Sequence, residues 1–345
     1  MVDRSATSLA ACLAVVCAWP ALASPPTGLR QGVIFNEYPP AAAASRLLAR
    51  VVSPLTAWEM RSALAASGKA LKERTLDLRQ ENFLVYIPPR APPGGYGLLV
   101  FVPPWPSASL PEGWAPVLDR LGYIFVSAAG SGNEANVLTR REPLALVAEA
   151  NVASLYPLDP ARVFVGGFSG GAHVALRLAL GFPDIFTGAL LDAGADPIGD
   201  HAAPLPTIDL FEKFQTRSRL YLVTGSRDRA RLAMDTDSLD SLSHWCVAGV
   251  VADQIPDAGH AVADPAALER ALTVLQSPVR VDARRISACR AGVDRDLAKA
   301  EGDVERLLAA GRADEARKAL IKLDARFGGL AAPMSVQLAE KLAGR

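Results

Sequence analysis

The sequence is poor in cysteine and histidine, four of each in 345 residues, and it carries no net charge. None of these side chains falls at the short paired spacings of a zinc framework. With 36 basic residues balancing 36 acidic ones, no overall field draws the chain to nucleic acid or to an anionic membrane surface. A partner is therefore neutral, or is recognised by a local patch. Long apolar runs are missing beyond the first two dozen residues, so no later segment reads as a spanning helix. What is present is an ordinary globular composition, 50% apolar and 21% charged, which argues against disorder and leaves room for one large or two modest domains.

The apolar exception lies at the start. Arg4 precedes Ala10 to Leu22, and Ala21-Leu22-Ala23 supplies a small-x-small pattern, so residues 1–23 read as a signal peptide cleaved after Ala23. The expected location is periplasmic or secreted. An uncleaved anchor is the alternative, which the shortness of the run opposes. Cys17 follows Val16 rather than a small residue, which speaks against a lipoprotein site. Cys12 and Cys17 leave with the signal. Cys246 and Cys289 remain, as one disulfide in an oxidising compartment or as two separate buried thiols, and the sequence leaves both open.

Three textures follow. Residues 24–78 begin with an irregular lead-in bracketed by Pro25-Pro26 and Pro39-Pro40; helical spacing over Ala41 to Val52 and Ala57 to Leu71 then suggests a helical extension, either cover for a sheet or a lid. Across 79–280 strands alternate with helices. Phe83 to Ile87, the continuous apolar run Leu98 to Val102, Tyr123 to Val126, Val163 to Val165, Gly188 to Leu191, Leu220 to Val223 and Val247 to Ile255 read as strands of an α/β, mainly parallel, doubly wound sheet. From 281 to 345 the chain is rich in alanine and charge. Val293, Leu297, Ala300, Val304 and Leu307 keep helical steps, Gly311-Arg312 breaks them, and a helical hairpin with a third helix from Met334 to Leu342 is expected. It resembles a single tetratricopeptide hairpin; packing or dimer contact is its expected use, with partner recruitment the alternative.

The chemistry gathers at Gly167-Phe168-Ser169-Gly170-Gly171, a G-x-S-x-G pentapeptide between a β-branched run and a helical one. Strand, sharp turn and helix in that order form a nucleophile elbow, in which a serine on a strained turn projects its hydroxyl from the sheet edge. A serine hydroxyl needs a base in hydrogen-bond reach and a group that orients the base. Among the histidines, His173 lies one helical turn after Ser169 and reads as a packed core residue, His201 sits in a proline-rich loop and His244 near a helix end. His260 follows a strand, on the edge that presents the elbow. Asp228 ends Gly225-Ser226-Arg227-Asp228 on that same edge, with Asp192 and Asp196 as competing acids and Asp253 a poorer one. For the oxyanion, Gly170 supplies one backbone N–H. In Pro103-Pro104-Trp105-Pro106 only Trp105 has a second to give.

Leu98 to Trp105, Tyr156 to Gly171, Gly225 to Asp228 and Gly259-His260 together resemble the α/β-hydrolase esterases related to polyhydroxybutyrate depolymerases and feruloyl esterases, over about residues 80 to 275. The resemblance implies the α/β-hydrolase fold and cofactor-free cleavage of carboxylic esters through an acyl-serine. Ser169 would be nucleophile, His260 base, Asp228 the orienting acid, and Gly170 and Trp105 oxyanion donors. The expected partner is a small or polymeric ester, with no metal or nucleic acid. Two positions depart: Pro103-Pro104 stands where such enzymes commonly have His-Gly, and Arg229-Ala230 where an asparagine is frequent. The alternatives are a hydrolase-like scaffold that has lost turnover, and a serine peptidase.

Overall fold

Eight strands form one sheet: β1 (Gly28–Val33), β2 (Phe83–Ile87), β3 (Tyr96–Val102), β4 (Tyr123–Ala128), β5 (Leu158–Phe168), β6 (Gly188–Asp192), β7 (Arg219–Gly225) and β8 (Gly249–Ile255), in spatial order β1-β2-β4-β3-β5-β6-β7-β8. Strand β2 runs antiparallel to both β1 and β4; every pairing from β4 through β8 is parallel. This is the α/β-hydrolase fold. The computed structural model describes residues 27–344, and the expected signal peptide at residues 1–23 lies outside the described residues.

The sequence of the central strands explains the layering. All seven residues of β3 are buried, which an apolar run achieves only with helices on both faces of the sheet. The α-helices are α1 (Ala44–Arg50), α2 (Pro54–Ala66), α3 (Trp114–Leu121), α4 (Glu142–Leu155), α5 (Gly170–Gly181), α6 (Ile208–Arg217), α7 (Arg229–His244), α8 (Pro265–Leu275), α9 (Ala283–Ala309), α10 (Ala313–Phe327) and α11 (Met334–Ala343); α3 to α8 pack on the sheet, while α9 to α11 pack on one another, with α10 and α11 against α2. Alternate residues of the strands feed two apolar clusters, as the period of two requires. Leu98, Val100 and Val126 join one with α4 and α5, and Leu99, Phe101 and Phe125 join the other with α3 and α8.

The lead-in is not irregular, as the sequence suggested. Residues 28–33 pair with β2 as an edge strand, although most of its side chains are exposed and no apolar alternation marks it. The helical extension and the tail meet each other. On α10, Asp324 Oδ1 accepts from Leu55 N–H at 3.2 Å, and its Oδ2 accepts from the Ser53 hydroxyl, so the tail caps the start of α2. Phe327 packs edge-on against Trp245, with centroids 5.9 Å apart. Cys246 and Cys289 form a disulfide with Cα atoms 5.9 Å apart, joining the end of α7 to α9.

Candidate active site

The elbow turns between β5 and α5. Ser169 has φ 53°, a left-handed conformation costly for a residue with a Cβ, and its N–H donates to the Asp192 carbonyl at 2.7 Å. The flanking glycines are required by contact. A Cβ on Gly171 would run into the Val102 carbonyl oxygen, and one on Gly167 into the backbone of Gly171. The turn is thus tight enough to place the serine at the carboxyl ends of the parallel strands.

Two further loops reach that edge. His260 Nε2 lies 3.0 Å from Ser169 Oγ, and His260 Nδ1 lies 2.5 Å from Asp228 Oδ2. Asp228 closes the turn after β7, where its other oxygen accepts from Arg231 N–H at 3.3 Å and caps α7. Its side chain is one-tenth exposed against 42% for the histidine, so the acid is sheltered while the imidazole is open to solvent. The Phe168 ring lies 4.8 Å from the imidazole and the Trp105 ring 6.1 Å from Phe168, so aromatic rings line one side of the histidine.

The histidine loop is fixed at both ends. Arg227 N–H donates to the Ala258 carbonyl at 2.9 Å, tying it to the acid loop. At Ala263 the carbonyl accepts from Trp114 Nε1 at 2.8 Å, and the N–H donates to Asp192 Oδ2 at 2.7 Å. Asp192, one of the competing acids, therefore does not face His260. Fully buried at the end of β6, it holds the serine through its carbonyl and the histidine loop through its carboxyl. Burial pushes its pKa well above the ordinary range, only partly countered by the Ala263 bond.

Facing the elbow, the Pro103–Pro106 loop interlocks with the loop after β4. Pro104 O accepts from Asn133 N–H at 2.9 Å and Pro106 O from Gly130 N–H at 2.6 Å. The Pro104–Trp105 peptide is trans, so the Trp105 N–H points opposite to a carbonyl already engaged by Asn133. Gly170 N–H, in the first turn of α5, has no partner within its helix. Sequence reasoning missed two residues here. Asn133 stands against Gly170, where a Cβ would strike its amide. Buried Arg141, in a π-helical turn at Val137–Arg141, donates through Nε to Ser131 O at 2.9 Å and through Nη2 to Pro103 O at 3.1 Å, bolting the two loops together. No local motif announces either one.

The remaining candidates are placed elsewhere. His173 is not a packed core histidine; it is half-buried, with Nδ1 2.6 Å from Asp196 Oδ2, because the loop after β6 brings a carboxylate beside α5. His201 and His244 are exposed. Asp253 lies in β8 and is held by Tyr221 and Arg270. Among the described residues no group of three His, Cys, Asp or Glu side chains is placed to hold a metal ion.

No family model matches the chain, and no curated protein matches it in sequence. Solved structures are similar over part of it. An S-formylglutathione hydrolase from Staphylococcus aureus is 15% identical over 57% of this chain and 93% of its own, with a TM-score of 0.44. A Pyrobaculum calidifontis esterase is 14% identical over 57% and 80%, with a TM-score of 0.42. A Bacteroides ovatus protein described as a dipeptidyl aminopeptidase IV is 18% identical over 57% of this chain, which spans only 33% of that longer one, with a TM-score of 0.41. The strand order and the elbow at Ser169 define the fold.

Proposed function

We propose that this protein is an exported serine hydrolase that cleaves carboxylic esters through an acyl-serine, with Ser169, His260 and Asp228 as nucleophile, base and orienting acid. The observation that carries the reading is the continuous relay from Ser169 Oγ through both imidazole nitrogens to Asp228, at 3.0 and 2.5 Å. His260 takes the serine proton as Oγ attacks the ester carbonyl, and returns it to the departing alcohol; a water activated by the same imidazole then releases the acid. Asp228 keeps Nδ1 protonated and Nε2 facing the serine. The N–H groups of Gly170 and Trp105 receive the developing oxyanion, and no cofactor takes part.

A fluorophosphonate probe tests the nucleophile directly. Rapid labelling of the wild type and none of Ser169→Ala is expected; equal labelling of the two would sink the assignment. Hydrolysis of p-nitrophenyl butyrate, beside a feruloyl ester and a polyester film, then ranks the substrates. Turnover of peptide bonds in preference to all of these would replace the ester reading with a peptidase one.

A further inference from the structure

The acid loop carries cations that the relay does not use, at the place where the chain departs from the esterases it resembles. Arg227, Arg229 and Arg231 alternate around Asp228. Arg227 is closed off by Asp257, 2.8 Å away. Arg229 is exposed. Arg231 is half-buried, and the one side-chain acceptor it meets among the described residues is Met234 Sδ, 3.1 Å from Nη1. A thioether is a weak acceptor and a poor replacement for the water a guanidinium loses on burial, whereas a carboxylate accepts two parallel N–H bonds from it.

Among the described residues no neighbouring acid makes a hydrogen bond to the Arg231 guanidinium. Asp228 holds His260 and Asp196 holds His173; Asp235, four residues along α7, is buried, accepts from Thr224 Oγ1 at 2.6 Å through Oδ2, and meets Arg231 only through the field of its charge. Two routes connect Arg231 to the reacting serine. Its N–H donates to Asp228 Oδ1 at 3.3 Å, and its side chain packs on Gly194, where a Cβ would lie 2.9 Å from Arg231 Cδ. Gly194 is two residues beyond Asp192, whose carbonyl receives the Ser169 N–H. Ala193 between them has φ 58° and Gly194 φ 110°, a bend that lets the backbone approach the arginine.

We infer that Arg231 is a substrate-recognition residue, assisted from the rim by Arg229, and that the enzyme takes esters bearing a second, carboxylate group, which the guanidinium holds while Ser169 attacks the ester carbonyl. The inference rests on the serine-hydrolase reading for its reaction but not for its binding. Two substrate pairs test it. Mono-p-nitrophenyl adipate against p-nitrophenyl hexanoate puts the carboxylate on the acyl side, and 4-butyryloxybenzoate against 4-butyryloxybenzamide puts it on the alcohol side.

Within one pair, kcat/KM is expected to favour the charged ester by about tenfold or more, the size of a charge-assisted hydrogen bond. The ratio should fall toward unity in Arg231→Gln and with rising salt, and Arg231→Lys should restore part of it. Calorimetric binding of the same esters to Ser169→Ala, with and without Arg231→Gln, gives a readout independent of turnover. An Arg231-dependent preference in binding without any hydrolysis by the wild type would keep the carboxylate site and remove the serine-hydrolase reading. Charged and neutral esters handled alike in both pairs, or a preference unchanged by Arg231→Gln, would overturn the inference.

Discussion

Two histidine–aspartate pairs stand at the carboxyl edge of this sheet, and only one meets a serine. His260 and Asp228 are 2.5 Å apart, and His173 and Asp196 are 2.6 Å apart. In each the acid fixes Nδ1. The difference lies at the other nitrogen: that of His260 meets Ser169 Oγ at 3.0 Å, while α5 carries His173 one turn past the serine. A carboxylate at Nδ1 thus does not by itself distinguish the two imidazoles. What sets one apart is a third partner supplied by a separate turn, the arrangement a general base requires.

The contrast can be broken from either side. Replacing His260 by alanine should lower kcat on p-nitrophenyl butyrate by roughly four to six orders of magnitude, the loss typical of removing a triad base. Asp228→Asn should cost about three to four orders, because the amide no longer holds the productive tautomer. Its counterpart Asp196→Asn should leave the rate within about threefold, as expected of a group that touches no reacting atom. A rate loss in Asp196→Asn approaching that of Asp228→Asn would mean the second pair takes part in the reaction.

A subtler test concerns Asp192, the acid behind the relay. Because burial raises its folded pKa, the folded state binds more protons than the unfolded one, so its contribution to stability is fully present below the unfolded carboxyl range and is lost as pH rises toward the folded value. Asp192→Asn keeps an acceptor for the Ala263 N–H without an ionisable group. Its melting temperature relative to wild type should therefore climb as the buffer is taken from about pH 4 upward, where unfolded aspartates begin to ionise. A difference independent of pH would show that the carboxyl is not held neutral. The smallest effect is expected of His173→Gln, within about twofold in rate and about 1 kcal/mol in unfolding free energy from denaturant melts, since only one partly solvated pair is lost.

Much of the scaffold was legible because it is written locally. The Leu98–Val102 run is typical of a strand covered on both faces, and a strand, G-x-S-x-G and a helix in sequence is the context of a nucleophile elbow. Ser169, Asp228 and His260 each follow a strand in the sequence, which puts all three on one edge of a parallel sheet. What escaped depends on partners far away in sequence. The first strand carries no alternation, since it lies at an edge with one neighbour and most side chains in water. Spacing put His173 one turn beyond Ser169 but did not show that a loop after β6 would bring Asp196 to it. Asn133 and Arg141 are ordinary polar residues whose meaning arises when two loops interlock. Asp192 read as a rival acid because chain order cannot say which way a carboxyl faces.

The disulfide has a consequence beyond fastening the tail. Cys246 and Cys289 close a covalent ring that contains all of β8, the His260 loop and α8. A single peptide cleavage within that ring severs the backbone but not the molecule, so a protease nick in the histidine loop would leave both fragments joined. Such a cut would be invisible on a non-reducing gel and appear as two bands only after thiol treatment.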